Sequence, residues 1–280
     1  MKKYLIIVML IIYSLLLTSC KRKNIEKEDI FKVGYSTNLL KVEDREKFKK
    51  ILMDNNISNI ELFFSWLDDF NKEEDNGCGL SDFKKTEEVK YNEFSCLDRY
   101  EKNHEVSDGN CRLTAYTLIQ NRLKINNKIK NYGSYLMFDV DVLENNKNYE
   151  VINDSFEDFI TLYNEIDVSN VDEKEITNAF SKKWEEYGIS INKGNVSLIS
   201  VVIYDKDNKT LFTGHTGILI KLKDRYIFVE KIAFEQPYQI NIFNDINDLI
   251  DIFSKRPSYF ESESKKGTYV FENEKLIYSY

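Results

Sequence analysis

Histidine, proline and cysteine are all scarce in this chain of 280 residues, which holds two, two and four of them respectively. The two histidines, His104 and His215, stand far apart and no Cys-x-x-Cys occurs, so the ligand spacings of a metal site are missing. No glycine-rich phosphate loop and no Ser-centred nucleophile elbow is present, which sets aside the enzyme classes built on those motifs. Positive charge is in deficit. Lys and Arg number 39 against 47 Asp and Glu, and a net charge of -8 argues against a nucleic-acid partner. Neither an internal repeat nor a low-complexity segment interrupts the chain, and Pro237 and Pro257 mark no clear domain boundary. The apolar run over 4–17 falls short of the roughly 20 residues that a membrane span needs. The hydrophobic fraction of 42% is enough for a real core.

The first twenty residues carry a distinct pattern. Lys2 and Lys3 precede the apolar run, and Leu17-Thr18-Ser19-Cys20 closes it, the three-part layout of a secretory signal. Ending on a cysteine, the segment resembles a bacterial lipoprotein signal, in which that thiol is acylated (palmitate or a similar chain) and becomes the new N-terminus. The expected organisation is a signal peptide over 1–19, a lipidated Cys20 and tether over 20–33, and one domain over 34–280. Lys21-Arg22-Lys23, beside the anchor, suits an anionic headgroup layer. Removing the signal leaves about 260 residues, the size of one large domain or two small ones. The protein is thereby expected outside the cytoplasm, held to the bilayer through Cys20.

Assigning Cys20 to lipid leaves an odd number of thiols: Cys78, Cys96 and Cys111. Cys78 and Cys96 lie close in a polar stretch and can bridge, which would leave Cys111 free. A bridge from Cys111 to either one is the alternative.

Helical spacing of Phe48, Ile51, Leu52, Ile57, Ile60, Phe63, Trp66, Leu67 and Phe70 predicts two helices between 43 and 72, parted near Asp54-Asn55-Asn56. Residues 73–110 read as a long polar loop, and further helices are predicted over 111–129, 154–165 and 173–187. After Gly188 the period changes to that of strands. Strands are predicted over 196–204, 211–222, 226–234 and 238–243, then a helix over 244–253 capped by Asn244, then short strands at 268–271 and 276–280. Helices followed by an antiparallel meander define an α+β fold class.

The strongest chemical signal is Asp108-Gly109-Asn110-Cys111-Arg112 ahead of a helix. Gly109 permits a tight turn and Asp108 or Asn110 can cap the helix. Cys111 then sits where unpaired N–H groups and the helix dipole favour a thiolate, and where those N–H groups can face an oxyanion. A small buried cysteine in the first turn of a core helix fits the same segment. His215, in Gly214-His215-Thr216-Gly217, is the candidate base for that thiol, its two glycines allowing close approach; a strand histidine satisfying a local hydrogen bond is the other reading. Glu230 is the candidate third group. It is an acid in an apolar strand, on the strand next to that of His215. A strand-end charge pair with Lys231 is the alternative there. His104 lies in a charged loop with nothing to position it.

Asn110-Cys111-Arg112, Leu136-Met137-Phe138-Asp139, Gly214-His215-Thr216-Gly217, Glu230-Lys231-Ile232-Ala233-Phe234 and Pro237-Tyr238 together resemble a bacterial lipoprotein family, domain of unknown function 4300, from about Tyr35 to the C-terminus. More distantly, the order of cysteine on a helix start, His-x-Gly-Ile on a strand and a polar residue on the next strand is similar to the NlpC-type papain-like peptidases. That resemblance implies a papain-like arrangement with Cys111 as nucleophile, His215 as base and Glu230 as the third residue. It implies action on amide bonds of peptidoglycan peptides, with no cofactor. Two positions depart from that pattern: Arg112 stands where a serine usually follows the cysteine, and Glu230 where His, Asn or Gln is usual. Arg112, with Asn110 beside it, becomes a candidate for binding a substrate carboxylate. The competing reading is a non-catalytic lipoprotein that binds a wall component or a protein, with Phe63, Trp66 and Trp184 either at that interface or in the core.

Overall fold

The β-branched run beginning at Val196 and the two apolar runs after it become the middle of an antiparallel sheet. A computed structural model of the chain describes residues 31–73, 77–103, 105–168, 172–256 and 267–279. The signal segment, Cys20, Lys21-Arg22-Lys23 and His104 lie outside the described residues. Residues from Phe31 onward cluster as one compact unit.

In chain order the strands are β1 Tyr35–Thr37, β2 Lys84–Lys85, β3 Leu123–Lys124, β4 Ile166–Asp167, β5 Ser190–Ile191, β6 Val196–Asp205, β7 Thr210–Lys221, β8 Tyr226–Lys231, β9 Tyr238–Phe243, β10 Thr268–Glu272 and β11 Lys275–Ser279. The main sheet runs β11-β10-β6-β7-β8-β9-β1-β2, with β4 added beside β7, while β3 and β5 pair separately. Along β6 and β7 the register runs from Val196↔Ile220 to Asp205↔Thr210, broken once between Val201 and Val202. Val201 faces His215 and Val202 faces Thr213, so Gly214 is the extra residue of a bulge, a device that re-aims the side chains beside it. A Cβ on Gly214 would lie 2.4 Å from Ile203 Cδ1, and one on Gly217 would lie 2.5 Å from the Val229 carbonyl. The close approach expected at both glycines is thus taken up by the protein's own strands.

The eight helices among the described residues are α1 Val42–Asp54, α2 Ile60–Glu73, α3 Glu93–Asn103, α4 Cys111–Ile119, α5 Met137–Asn145, α6 Phe156–Tyr163, α7 Glu173–Tyr187 and α8 Ile246–Ser254. In α4 every residue except Arg112 is buried, and the helix lies against β7 and β8. Leu249, Ile250 and Phe253 of α8 join Ile199, Val201, Leu219, Phe228, Phe243 and Val270 in an apolar core on the sheet. Phe63, Trp66 and Trp184 are all buried, which places them in the core rather than at an interface.

This is an α+β fold with an antiparallel sheet, as the element pattern predicts. Four local expectations need correction. The supposed loop over 73–110 contains α3, a short strand and a 3-10 turn at Thr86–Glu88. The helix expected to reach residue 129 stops at Ile119, because Ser58 and Asn59 take its last carbonyls: Ser58 Oγ and Asn59 Nδ2 donate to Thr117 O, and Ser58 N to Leu118 O. The cap of α8 is Asp245 rather than Asn244, in a capping box with Asp248. Strand β8 ends at Lys231, where Ile232 N donates to Pro237 O and turns the chain back. Cys78 and Cys96 form a disulfide, and Cys111 is the free cysteine among the described residues.

Candidate functional site

Cys111 is the first residue of α4. Asn110 caps the helix, its Oδ1 accepting from Arg112 N at 2.9 Å and Leu113 N at 3.2 Å, which leaves the Cys111 N–H unclaimed by the cap. The turn before it is pinned from several sides. Asp108 Oδ1 accepts from Gly109 N at 2.8 Å and from the Tyr149 hydroxyl at 2.5 Å, and Asp108 N donates to the Tyr100 hydroxyl at 2.8 Å. Glycine is required at 109 because a Cβ would lie 2.3 Å from the Tyr149 ring.

His215 reaches Cys111 from β7. The imidazole lies near enough to the thiol for each to shift the other's titration, and its Nε2 lies 2.6 Å from Glu230 Oε2. His215 and Glu230 are neighbours across adjacent strands, as the sequence suggests. The β7–β8 ladder ends at Ile218↔Val229, and the two side chains meet just beyond that end. Glu230 has a full set of donors. Besides His215, its oxygens accept from Asn241 Nδ2 at 2.8 Å and from both Arg256 Nη atoms at 2.6 Å. Asn241 is itself held by Ser36 Oγ at 2.8 Å and by Gln239 Nε2, while Gln239 accepts from the Tyr91 hydroxyl at 2.8 Å.

The electrostatics follow from this stacking of charges. Burial works to raise the Cys111 thiol, but the neighbouring His215, then Arg112 and the Thr216 backbone, outweigh burial and hold it below its ordinary value. Burial works to lower His215, and the Cys111 and Glu230 partners outweigh it, so the imidazole is held above its ordinary value. At Glu230 burial again opposes the charge, yet Arg256 and then His215 bring the carboxyl down to about 2. The arrangement favours a thiolate and imidazolium together, with the imidazolium facing a carboxylate whose charge Arg256 balances.

Arg112 and Asn110 have internal partners. The Arg112 guanidinium forks onto Asp139, with Nε 3.0 Å from Oδ1, and also donates to Thr213 O at 2.8 Å and Tyr135 O at 3.2 Å. Asn110 Nδ2 donates to the same Asp139 Oδ1 at 2.9 Å, and Asp139 is wholly buried. The carboxylate that Arg112 binds is therefore the chain's own, and through Thr213 it ties the thiol's helix to the histidine's strand. Glu230 and Lys231 do not pair with each other. Alternation along β8 sends Glu230 to the side of Phe228 and α8, and Lys231 to the opposite side, toward Asp108.

Sequence reasoning missed Arg256, Asn241 and Asp139. Asp139 carries a signal, as the acid closing Leu136-Met137-Phe138-Asp139; Arg256 carries none. A cavity of about 1090 Å3 opens beside the network and is lined by Arg256, Gln239, Tyr91, Glu235 and Lys85 among others. Cys111 and His215 are not among the described residues that line it.

The fold and site define an α+β domain built around a buried thiol, imidazole and carboxylate. The chain belongs to the DUF4300 family, a domain of unknown function, whose family model matches residues 35–277. No curated protein and no solved structure matches the chain.

Proposed function

We propose that this chain is a cysteine hydrolase of papain-like arrangement that cleaves amide bonds of cell-wall peptides, held outside the cytoplasm by a lipid on Cys20. The observation that carries the reading is the buried line Cys111–His215–Glu230: the thiol begins a helix, thiol and imidazole act on each other's charge, and His215 Nε2 lies 2.6 Å from Glu230 Oε2. A thiol, a base and an orienting group in sequence is what nucleophilic catalysis by cysteine requires. The Cys78–Cys96 disulfide accords with an oxidising compartment.

In this reading the Cys111 thiolate attacks the carbonyl carbon, and the oxyanion forms next to the free Cys111 N–H at the positive end of α4. The imidazolium of His215 gives its proton to the departing amine, leaving a thioester on Cys111. Imidazole then takes a proton from water, hydroxide displaces the thiolate, and the acid product leaves. Glu230 keeps the ring in register and supports its charge in both half-reactions, while Arg256 and Asn241 keep Glu230 ionised and still. Arg112 acts on the scaffold, through Asp139 and Thr213, and not on substrate.

A second reading, a binding lipoprotein with no turnover, draws support from the separate cavity beside Arg256. The form begun after Cys20, incubated with peptidoglycan and followed by mass spectrometry, decides between them. Fragment release that disappears in Cys111→Ala supports the hydrolase. Retained binding with no fragments from the unaltered protein overturns it.

A further inference from the structure

We propose that Lys231 is the positioning residue for the thiol, as Glu230 is for the imidazole; the proposal rests on the hydrolase reading of Cys111. The Lys231 side chain is fully buried, and its Nζ pairs with Asp108 Oδ2 at 3.2 Å. The ammonium also lies 4.2 Å from the centre of the Phe70 ring and 4.3 Å from that of Tyr238, held between two aromatic faces. The ion pair joins the end of β8 to the turn three residues before Cys111.

Stability alone gives a weak reason for this pair. Burying an ammonium and a carboxylate is costly, and apolar residues of the same volume commonly serve stability as well or better. What the pair supplies is location. Asp108 can face the Lys231 ammonium while accepting from the Gly109 N–H and the Tyr149 hydroxyl only with the 108–110 turn in one place. Tyr149 reinforces this, since its hydroxyl also accepts from Gly109 N at 2.8 Å while its ring packs at a tilt against Trp66. Asn110, the next residue, is fixed by Asp139. The turn therefore has no slack, and the first N–H groups of α4 and the Cys111 sulfur point where the turn aims them. Two consecutive residues of one strand thus set both halves of the reacting pair: Glu230 holds His215 on one side, Lys231 holds the Cys111 turn on the other.

The test is the pH profile of Cys111 alkylation by iodoacetamide, read on the full chain in detergent by peptide mass spectrometry. Asp108→Asn combined with Lys231→Met removes both charges and leaves none buried alone. Tyr149→Phe keeps the ring packing and removes only the hydroxyl. The unaltered chain is expected to react at pH 6, well below the ordinary thiol range near ~8.5. In the double variant the profile moves toward that range, and the rate at pH 6 falls by about tenfold or more. Tyr149→Phe moves it the same way by less. A purely structural pair changes thermal unfolding and leaves the profile in place, and that result in either variant overturns the proposal. An unaltered chain whose Cys111 reacts as an ordinary thiol overturns the hydrolase reading itself, which is a separate result.

Discussion

Replacing Glu230 by glutamine tests the charge arrangement at its centre. The carboxylate accepts four hydrogen bonds: one from His215, one from Asn241 and two from Arg256. Glutamine keeps the shape, but its NH2 faces donors on one side and its neutral oxygen leaves Arg256 and the His215 imidazolium without a counter-charge. The size of the loss follows from the titration. Glu230 is brought from 4.5 to about 2, chiefly by Arg256 and then His215 working against burial. At about 1.4 kcal/mol for each pKa unit, this is about 3 kcal/mol in favour of the ionised form. That agrees with the ~3–5 kcal/mol expected for breaking a buried ion pair. For a domain of this size about 3 kcal/mol lowers Tm by about 6–12 °C. The sign with pH is fixed too. A depressed carboxyl contributes stability that is fully present above its unfolded value of about 4.3 and is lost as pH falls through about 2. The Tm gap between Glu230→Gln and the unaltered chain is therefore widest near neutrality and narrows as pH drops below about 4.3. Losing the carboxylate also lets His215 fall toward its ordinary value, so Cys111 alkylation at pH 6 slows. Calorimetry across pH and timed alkylation read both effects. A Tm change under about 2 °C with an unmoved alkylation profile would refute the reasoning.

Turnover by the unaltered protein is expected to follow a bell in pH. The acid limb is set by protonation of Cys111, below the ordinary thiol value of ~8.5, and the alkaline limb by loss of the His215 proton, above ~6.5. A single-limbed profile counts against the ion pair. Gly109→Ala forces a Cβ against the Tyr149 ring and is expected to cost about 1–3 kcal/mol, seen as a lower denaturant midpoint, and to slow Cys111 alkylation. Asn110→Ala removes the cap of α4 and one donor to buried Asp139, for a loss of about 1–2 kcal/mol in the same measurement. Changing Cys78 and Cys96 to serine opens a link across 18 residues of chain, about 3 kcal/mol on loop entropy, while leaving Cys111 as reactive as before.

The candidate site residues are legible in the sequence because each breaks a local rule. Cys111 follows capping residues at a helix start, His215 stands between two glycines in a strand, and Glu230 is an acid in an apolar run. How they meet is legible too: the sequence suggests that His215 and Glu230 are neighbours on adjacent strands, and their side chains meet just beyond the Ile218↔Val229 pair. Helix α3 escapes notice because its apolar periodicity does not point inward: Phe94 is 88% exposed, and Cys96 is tied down by a disulfide instead. The overrun of α4 has a tertiary cause. Leu123 and Ile125 continue an apolar pattern, but Ser58 and Asn59, some 60 residues earlier, end the helix. Arg256 shows no signal of its own because its partner lies 26 residues away and nothing around it in the sequence marks the contact.

The order β11-β10-β6-β7-β8-β9-β1-β2 puts the last-made strands on one margin of the sheet and the first-made on the other. Before β10 is synthesised, β6 presents Ile199 to Ile203 along an unpaired edge. A ribosome-bound or truncated chain that stops short of Thr268 thus carries an open, strongly apolar seam beside the finished histidine strand, a ready template for pairing with another chain. A chain terminated before Thr268 is therefore expected to aggregate through this edge rather than to give a soluble fragment.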